Sequence, residues 1–215
     1  MGVSAGRVWR AALVIGAWVV ARALAARLPN PVPVHWNSAG QADGFMAQPW
    51  GSYLWPGIVT AVYVLLTILP VISPRQFAID RFARSYDRIQ SATVTLVFAV
   101  GGLAHAQAAG LAVPISRLLP LAAGLFALAL GRVLPETRPN FFVGIRTPWT
   151  MASETVWVET HRVAGKLLIA SGGANVLIAV IGAPMPLALG LFLAAVLIPA
   201  AYSFVIYRRL DRQSQ

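Results

Sequence analysis

The sequence contains no cysteine and few charged residues. Its 215 residues include no Cys, and Asp, Glu, Lys and Arg make up only 11% of the chain, against 58% hydrophobic residues. Without cysteine there is no disulfide, thiolate metal ligand or cysteine nucleophile. So little polar surface cannot cover a fold in water. The composition therefore predicts a protein whose solvent is the lipid bilayer.

Acidic residues are especially scarce, and the net charge is +10. A basic protein can bind nucleic acid, but that function needs Lys and Arg clustered on one folded module. Here they stand singly or in small groups beside apolar stretches, where lipid headgroups and membrane orientation account for them. Direct nucleic-acid binding is therefore not predicted.

Six apolar stretches each approach the ~20 residues that cross a hydrocarbon core. Backbone groups cannot stay unpaired in hydrocarbon, and transmembrane strands would be short and alternating, so helices are expected. The sequence predicts an all-α integral membrane protein, a six-helix transmembrane bundle. Its spans are residues 11–28, 53–73, 91–113, 118–134, 167–181 and 187–206.

Basic residues fall into alternate gaps between these stretches. Lys and Arg resist translocation, so they mark cytoplasmic helix ends. Fourteen of the seventeen lie on one side; the other side keeps Arg27 and Arg117, with Arg22 inside the first span. We therefore expect a multi-pass protein of the cell membrane with both termini cytoplasmic. The fourteen are Arg7, Arg10, Arg75, Arg81, Arg84, Arg88, Arg132, Arg138, Arg146, Arg162, Lys166, Arg208, Arg209 and Arg212.

The connections divide one compact unit into two parts. Residues 1–90 hold the first two spans, an ordered extracytoplasmic loop at 29–52 and a cytoplasmic segment at 74–90. That segment is either an amphipathic interfacial segment or a plain charged loop. Residues 91–215 hold four spans and an ordered cytoplasmic loop at 135–166.

Glycine pairs occur in two of the spans. Gly101-Gly102 lies in the third and Gly172-Gly173 in the fifth. Tight helix contacts in lipid need small residues, so these two spans are predicted to pack closely on each other.

The outer loop begins with a proline-rich run, which predicts an extended arm that folds back over the bundle. His35 and Asp43 are too few ligands for a zinc site, so no metal is predicted. We expect His35 and Asn37 to bond the loop to itself, and Asp43 to cap a turn or pair with Arg27. The alternative is a recognition surface. Its residues would be Pro33, His35, Trp36, Asn37, Gly40 and Asp43.

The inner loop is rich in aromatic residues but is interrupted by Gly144 and Pro148, so we expect an ordered segment that is not one helix. Ser153 with Glu154 then predicts a helix start, a hydroxyl cap followed by a carboxylate in the first turn. On that helix Trp157, His161 and Ala164 share a face, and Glu159 is placed to pair with Arg162.

Arg146 has two interpretations. It either holds Glu154 or a backbone carbonyl through its guanidinium fork, or is one more positive-inside residue. Glu154 and His161 could act as general acid and base, but no Ser or Thr is placed as a nucleophile and no metal set accompanies them. A structural hydrogen-bonded hub is therefore favoured over a catalytic site.

Three polar residues lie within the spans. Arg22, His105 and Asn175 are predicted roughly 9–12 Å below the outer ends of their helices. Buried polar groups in hydrocarbon are costly, so each is a candidate functional residue. They form either an outward-facing polar pocket beneath the arm, or a snorkelling Arg22 with interhelical hydrogen bonds of His105 and Asn175.

The inner loop resembles the signature of the SdpI family. The resemblance lies in the run 139–150 and in Ser153-Glu154, Val156-Trp157 and Thr160-His161-Arg162. The outer run 33–37, with Gly40 and Asp43-Gly44, is similar to the small domain that commonly precedes this signature. The resemblance implies that the residues holding the loop or binding a partner are Asn140, Gly144, Arg146, Thr147, Pro148, Trp149, Ser153, Glu154, Trp157, His161 and Arg162.

This resemblance implies a bacterial membrane immunity protein without a cofactor. The family's founding member protects a toxin-producing cell from its own secreted peptide and holds a cognate transcriptional repressor at the membrane. The implied partners are the lipid bilayer, a secreted peptide toxin or envelope signal, and a cytoplasmic repressor. A membrane enzyme acting on a lipid or peptide through Glu154, His161 and Arg146 is one alternative. A small transporter, suggested by glycine-interrupted spans, is another.

The predicted orientation has a direct test, because an engineered thiol is unique in a cysteine-free chain. In intact cells a membrane-impermeant maleimide should modify Ala39→Cys and spare Thr147→Cys, since the first lies outside and the second inside. Labelling is read on the purified protein, with permeabilised cells as the control for reactivity. Modification at position 147 but not at position 39 would show that the topology is opposite to the predicted one.

Overall fold

The computed structural model describes residues 4–37 and 41–213. Six helices in this part of the chain are long and apolar enough to cross a membrane, which confirms the predicted six-helix bundle. The helices are α1 (Ala5–Leu24), α2 (Trp50–Ile72), α3 (Ala83–Ala108), α4 (Ile115–Val133), the short α5 (Pro148–Ala152), α6 (Glu154–Ile181) and α7 (Met185–Gln213).

The outer loop forms a two-stranded antiparallel hairpin. Its strands are β1 (Val32–Trp36) and β2 (Ala42–Met46), and their register is irregular between Pro33 and Trp36. Val32 is buried against Leu28 and Ala109, so the hairpin is fixed to the bundle. The arm is extended as predicted, but the pairing of its two halves was not predicted. Gly40 lies outside the described residues.

The bundle has two apolar cores. One lies between α1, α2 and α3, and the other between α4, α6 and α7. Helix α3 also packs on α4, which joins the two halves into one bundle. The residues of the first core are Leu13, Ala17, Ala21, Trp55, Val59 and Val94; those of the second are Ala127, Leu134, Ala164, Leu168 and Ala195.

Two glycine pairs bring the backbones of α4 and α6 together. A Cβ on Gly124 would lie 2.8 Å from the Gly172 carbonyl oxygen, and one on Gly131 would lie 2.7 Å from the Gly165 oxygen. The two glycines of each helix are separated by about two turns, so antiparallel helices meet at both levels. This close contact stabilises the pair by packing rather than by a hydrophobic effect.

The predicted packing of the third span on the fifth is wrong. Gly101 and Gly102 on α3 lie against the indole ring of Trp55 on α2, which leaves no room for a side chain. Gly172 on α6 faces α4 instead. The small residues do mark close packing, as expected. However, α4 lies between α3 and α6, and the glycines of α3 pack on Trp55 of α2.

A buried ion pair links α1 to α3. Arg10 is 3% exposed, and its guanidinium lies 2.9 Å from the Asp87 carboxylate. It also donates to the Asp87 carbonyl oxygen and to the Ser91 hydroxyl. In the sequence Arg10 is only a marker of the cytoplasmic side. In the structure it is a buried residue that links two helices, and Asp87 compensates its charge.

The segment 74–90 consists of two short 3₁₀ turns and the first turns of α3. Ile79, Phe82 and Tyr86 are buried against Leu69 of α2, while the arginines of the segment are exposed. The Tyr86 hydroxyl and the Gln90 amide donate to the Leu66 carbonyl at 2.6 and 2.7 Å. That carbonyl has no helical donor, because the residue four positions on is Pro70, which has no N–H.

Gly172 and Gly173 provide a matched pair for testing the α4–α6 contact. Gly172→Ala should lower the stability of the bundle by about 1–3 kcal/mol, because the new methyl overlaps backbone atoms of α4. Gly173→Ala should be neutral or slightly stabilising, since nothing lies within 4 Å of a Cβ there. Thermal unfolding of the two purified variants in detergent measures the difference. Equal melting temperatures would show that the helices do not meet as described.

Candidate functional site

The inner signature loop folds around one buried side chain, that of Asn140. Its Nδ2 donates to the carbonyl oxygens of Arg138 and Val143 at 2.8 and 3.0 Å. Its Oδ1 accepts from the N–H groups of Phe142 and Val143 at 2.9 and 2.7 Å. An amide has two donor hydrogens and one acceptor oxygen, so all of its polar atoms hold the turn.

His161 on α6 holds the next part of the loop. Its Nε2 accepts from the Ile145 N–H at 2.9 Å, and its Nδ1 lies 2.7 Å from the Trp157 carbonyl oxygen. Because one ring nitrogen must accept and the other donate, the imidazole is neutral and protonated at Nδ1. The Trp157 ring stacks on His161 at 4.1 Å, and its Nε1 donates to the Thr137 oxygen at 3.2 Å.

Gly144 makes this arrangement possible. Its φ of +111° is rare for other residues. A Cβ there would overlap Nε2 of His161 and lie 3.2 Å from the Trp157 ring. The loop therefore passes the histidine at a distance that only glycine allows.

Helix α5 fixes the loop to α7. Thr147 caps α5 and Thr150 completes a capping box, with Pro148 as the first helical residue. The hydroxyl oxygens of Thr147 and Ser203 lie 2.9 Å apart, and the Trp149 and Phe204 rings are 4.9 Å apart. Sequence reasoning missed Thr150 and Ser203, and Ser203 gave no local signal because it lies 56 residues from its partner.

Ser153 caps α6 by accepting from the Val156 N–H, as predicted. Glu159 and Arg162 form the expected ion pair at 2.5 Å. Trp157, His161 and Ala164 all lie on the buried face of the helix.

Glu154 pairs with other arginines than Arg146. Its carboxylate lies 3.7 Å from Arg81 and 4.0 Å from Arg138. Arg146 is exposed and has no ion pair or hydrogen bond within the described residues. Of the two interpretations of Arg146, the guanidinium contact with Glu154 is therefore not formed, and Glu154 pairs with Arg81 and Arg138 instead.

The two inner loops pack on each other. Phe77 meets Phe141 edge to face at 4.3 Å, and Phe142 and Val143 pack on the aromatic cluster of residues 79–86. Glu136 accepts from Ser85 and lies 3.9 Å from Arg88. The signature loop and the start of α3 thus form one ordered inner face.

This geometry does not assemble the catalytic arrangement considered above. Both ring nitrogens of His161 contact backbone groups, and the exposed Glu154 is paired with arginines. The arrangement instead satisfies buried polar groups and fixes a surface that carries Arg146.

The outer hairpin is closed by polar contacts across its strands. His35 Nδ1 lies 2.5 Å from the Asp43 carboxylate, and the Asn37 side chain accepts from the Gln41 N–H at 3.0 Å. Asp43 thus pairs with His35 and not with Arg27. Among the described residues no group of three or more His, Asp or Glu side chains could hold a metal. Pro33 and Trp36 line a cavity beneath the hairpin.

The three intramembrane polar residues are not brought together. Arg22 is exposed on α1. His105 on α3 is buried and packs on Trp55, with ring centroids 5.3 Å apart. Asn175 is buried on α6 beside Gly124 of α4, and its amide has no partner in the described chain. The cavity that His105 lines includes neither of the others. The single shared polar pocket is therefore not formed, because α4 separates α3 from α6.

Gly144→Ala should open the signature loop. The new methyl requires a strained φ, which costs about 1–3 kcal/mol, and displaces His161 from its bond to Ile145. Gly110→Ala is the matched control, since that glycine also has positive φ but nothing lies within 4 Å of its Cβ. Trypsin should cleave the purified Gly144→Ala variant after Arg146 faster than the control. Equal cleavage rates would mean that the glycine does not hold the loop.

Comparisons with known proteins match both ordered loops. A model described as the SdpI/YfhL protein family matches residues 136–203, and a domain of unknown function (DUF1648) matches residues 12–60. The immunity protein SdpI of Bacillus subtilis (strain 168) is 25% identical over 145 residues, which cover 67% of each chain. No solved structure matches the chain significantly. The match to the SdpI/YfhL family contains the loop that Asn140, Gly144 and His161 hold, so the chain is similar to this family in its signature loop.

Proposed function

We propose that this protein is a membrane immunity protein that gives resistance to a secreted antimicrobial peptide. The observation that carries the proposal is the similarity to an immunity protein across two thirds of both chains. The six apolar helices agree with it, because a peptide that acts on membranes must be met at the membrane.

The inner face supports a non-enzymatic role. Polar side chains of the signature hold the backbone of the loop: Asn140 binds the turn, His161 binds Ile145, and Thr147 caps α5. What the loop presents outward is Arg146 and the half-exposed ring of Phe141. Arginine and aromatic residues are the side chains that protein interfaces favour.

The orientation follows from charge. Arg75, Arg81, Arg84 and Arg146 are exposed at the inner loops and Arg138 is half-buried there, which supports a cytoplasmic position for this end of the bundle. The hairpin then faces the exterior, where a secreted peptide arrives. The signature loop faces a cytoplasmic partner, and we propose a transcriptional repressor for that role. A signal between the two sides needs two arrangements of the bundle that differ in affinity for the peptide.

Expression of this chain in Bacillus subtilis cells that lack their own SdpI should restore survival against the peptide that wild-type cells secrete. The reason is that the chain shares the inner loop and most of the length of that immunity protein. Colony counts after exposure measure protection, and an empty vector and the Gly144→Ala variant are the controls. Survival no better than with the empty vector, at normal membrane levels of the protein, contradicts the proposal.

Arg146→Ala and His161→Ala should separate partner binding from loop structure. Arg146 is exposed, so its loss should abolish repressor recruitment and leave the loop resistant to chymotrypsin at Phe142. His161→Ala should lose both repressor recruitment and the protease resistance of the loop. The unfilled space and the unpaired Ile145 N–H that this change leaves cost about 2–5 kcal/mol. Recruitment is followed with a fluorescent repressor encoded beside an SdpI-family gene. If both variants recruit it normally, the signature loop does not bind the repressor.

A further inference from the structure

A cavity of about 330 Å³ lies beneath the hairpin, between α2 and α3. It adjoins a second cavity of about 730 Å³ at the outer ends of α3, α4 and α7. Both volumes are in the range of about 300–1,000 Å³ that is typical of ligand sites. The residues common to both linings are Val34, Trp36, Val100, Gly101 and Ala104.

The interior of this hairpin-covered cavity is apolar. Leu54, Ile58 and Val97 line the part between α2 and α3, and Leu119 and Met185 line its outer part. No Asp, Glu, Lys or Arg is among the described residues of either lining. A charged group inside would therefore have no counter-ion, so the cavity selects an uncharged occupant.

The His105 ring lines the cavity, as does the indole of Trp55, whose buried Nε1 also lacks a partner among the described residues. His105 is 4% exposed, and its buried Nε2 has no hydrogen-bond partner in the described part of the chain. A buried polar group without a partner is costly, so an occupant that hydrogen-bonds this ring gains affinity. The imidazole can donate or accept, and it therefore fits either group of a peptide bond.

The outer rim of the cavity is polar. His35 and Asn37 come from the hairpin, Gln107 from α3 and Ser116 from α4. These side chains can bond backbone amides at the surface. A lipid acyl chain has polar atoms only at its head and leaves His105 unpaired when its tail is inside. A peptide has an amide at every residue and can meet both the rim and His105.

We infer that the hairpin-covered cavity binds an uncharged, apolar segment of the secreted peptide, inserted from the outer side beneath the hairpin. This inference rests on the proposed immunity function and adds the site and the chemistry of its ligand. The hairpin covers the inserted segment, and His105 bonds its backbone.

Filling the cavity tests the inference. Ala104→Phe places a ring in the space shared by both parts, whereas Ala106→Phe on the same helix makes the same change outside both linings. In the survival assay with the Bacillus subtilis peptide, Ala104→Phe should fall to the level of the empty vector, and Ala106→Phe should protect like the unmodified chain. Equal protection by the two variants at equal membrane levels would overturn the site. Failure of the unmodified chain to protect would instead contradict the proposed function.

A photo-cross-link tests the site without filling it. Ser116 at the rim and Leu125 on the lipid-facing side of α4 are each replaced by p-benzoylphenylalanine, and the cells are irradiated with the same peptide. The peptide should be captured at position 116 and not at 125. Capture only of phospholipid at 116, or no peptide capture in cells that the chain protects, would overturn the inference.

Discussion

Every backbone polar group of this protein must find a partner inside the molecule wherever hydrocarbon replaces water. The carbonyl of Leu66 shows how strongly this requirement determines the fold. Pro70 leaves it without a helical donor, and Tyr86 and Gln90 of the next helix supply two. The unpaired carbonyl in α2 thereby accepts the hydrogen bonds that hold α3 beside it. The same requirement operates where the chain leaves α4 and must turn before entering α6.

In the signature loop the backbone polar groups are paired by side chains that can both donate and accept hydrogen bonds. Asn140 offers two donors and an acceptor, and neutral His161 offers one of each, so the two residues satisfy six backbone contacts. Neither can be replaced by a side chain that only donates or only accepts. The loop is consequently rigid in itself, and Arg146 is held outward on a fixed backbone. A rigid, preorganised surface loses little entropy when a partner binds.

Patterns that act over short distances were predictable from the sequence. Hydropathy gave the six spans, Ser153 gave the start of α6, and the spacing of Glu159 and Arg162 gave their ion pair. Contacts between distant segments were not predictable, because one sequence cannot show which of several equal candidates is nearest. Glu154 therefore pairs with Arg81 and Arg138 and not with Arg146. The proline run predicted extended backbone, yet nothing local specified its strand partner.

The two ends of the molecule share the same pair of helices. At the outer end, Trp55 of α2 packs on Gly101 of α3 beside the hairpin-covered cavity. At the inner end, the bonds from Tyr86 and Gln90 to Leu66 join the same two helices next to the signature loop. In the proposed signalling role, an occupant that separates α2 from α3 at the cavity would strain these bonds, because packed helices move as units. Phe142 and Val143 rest on that inner cluster, so a shift of α3 reaches the loop directly.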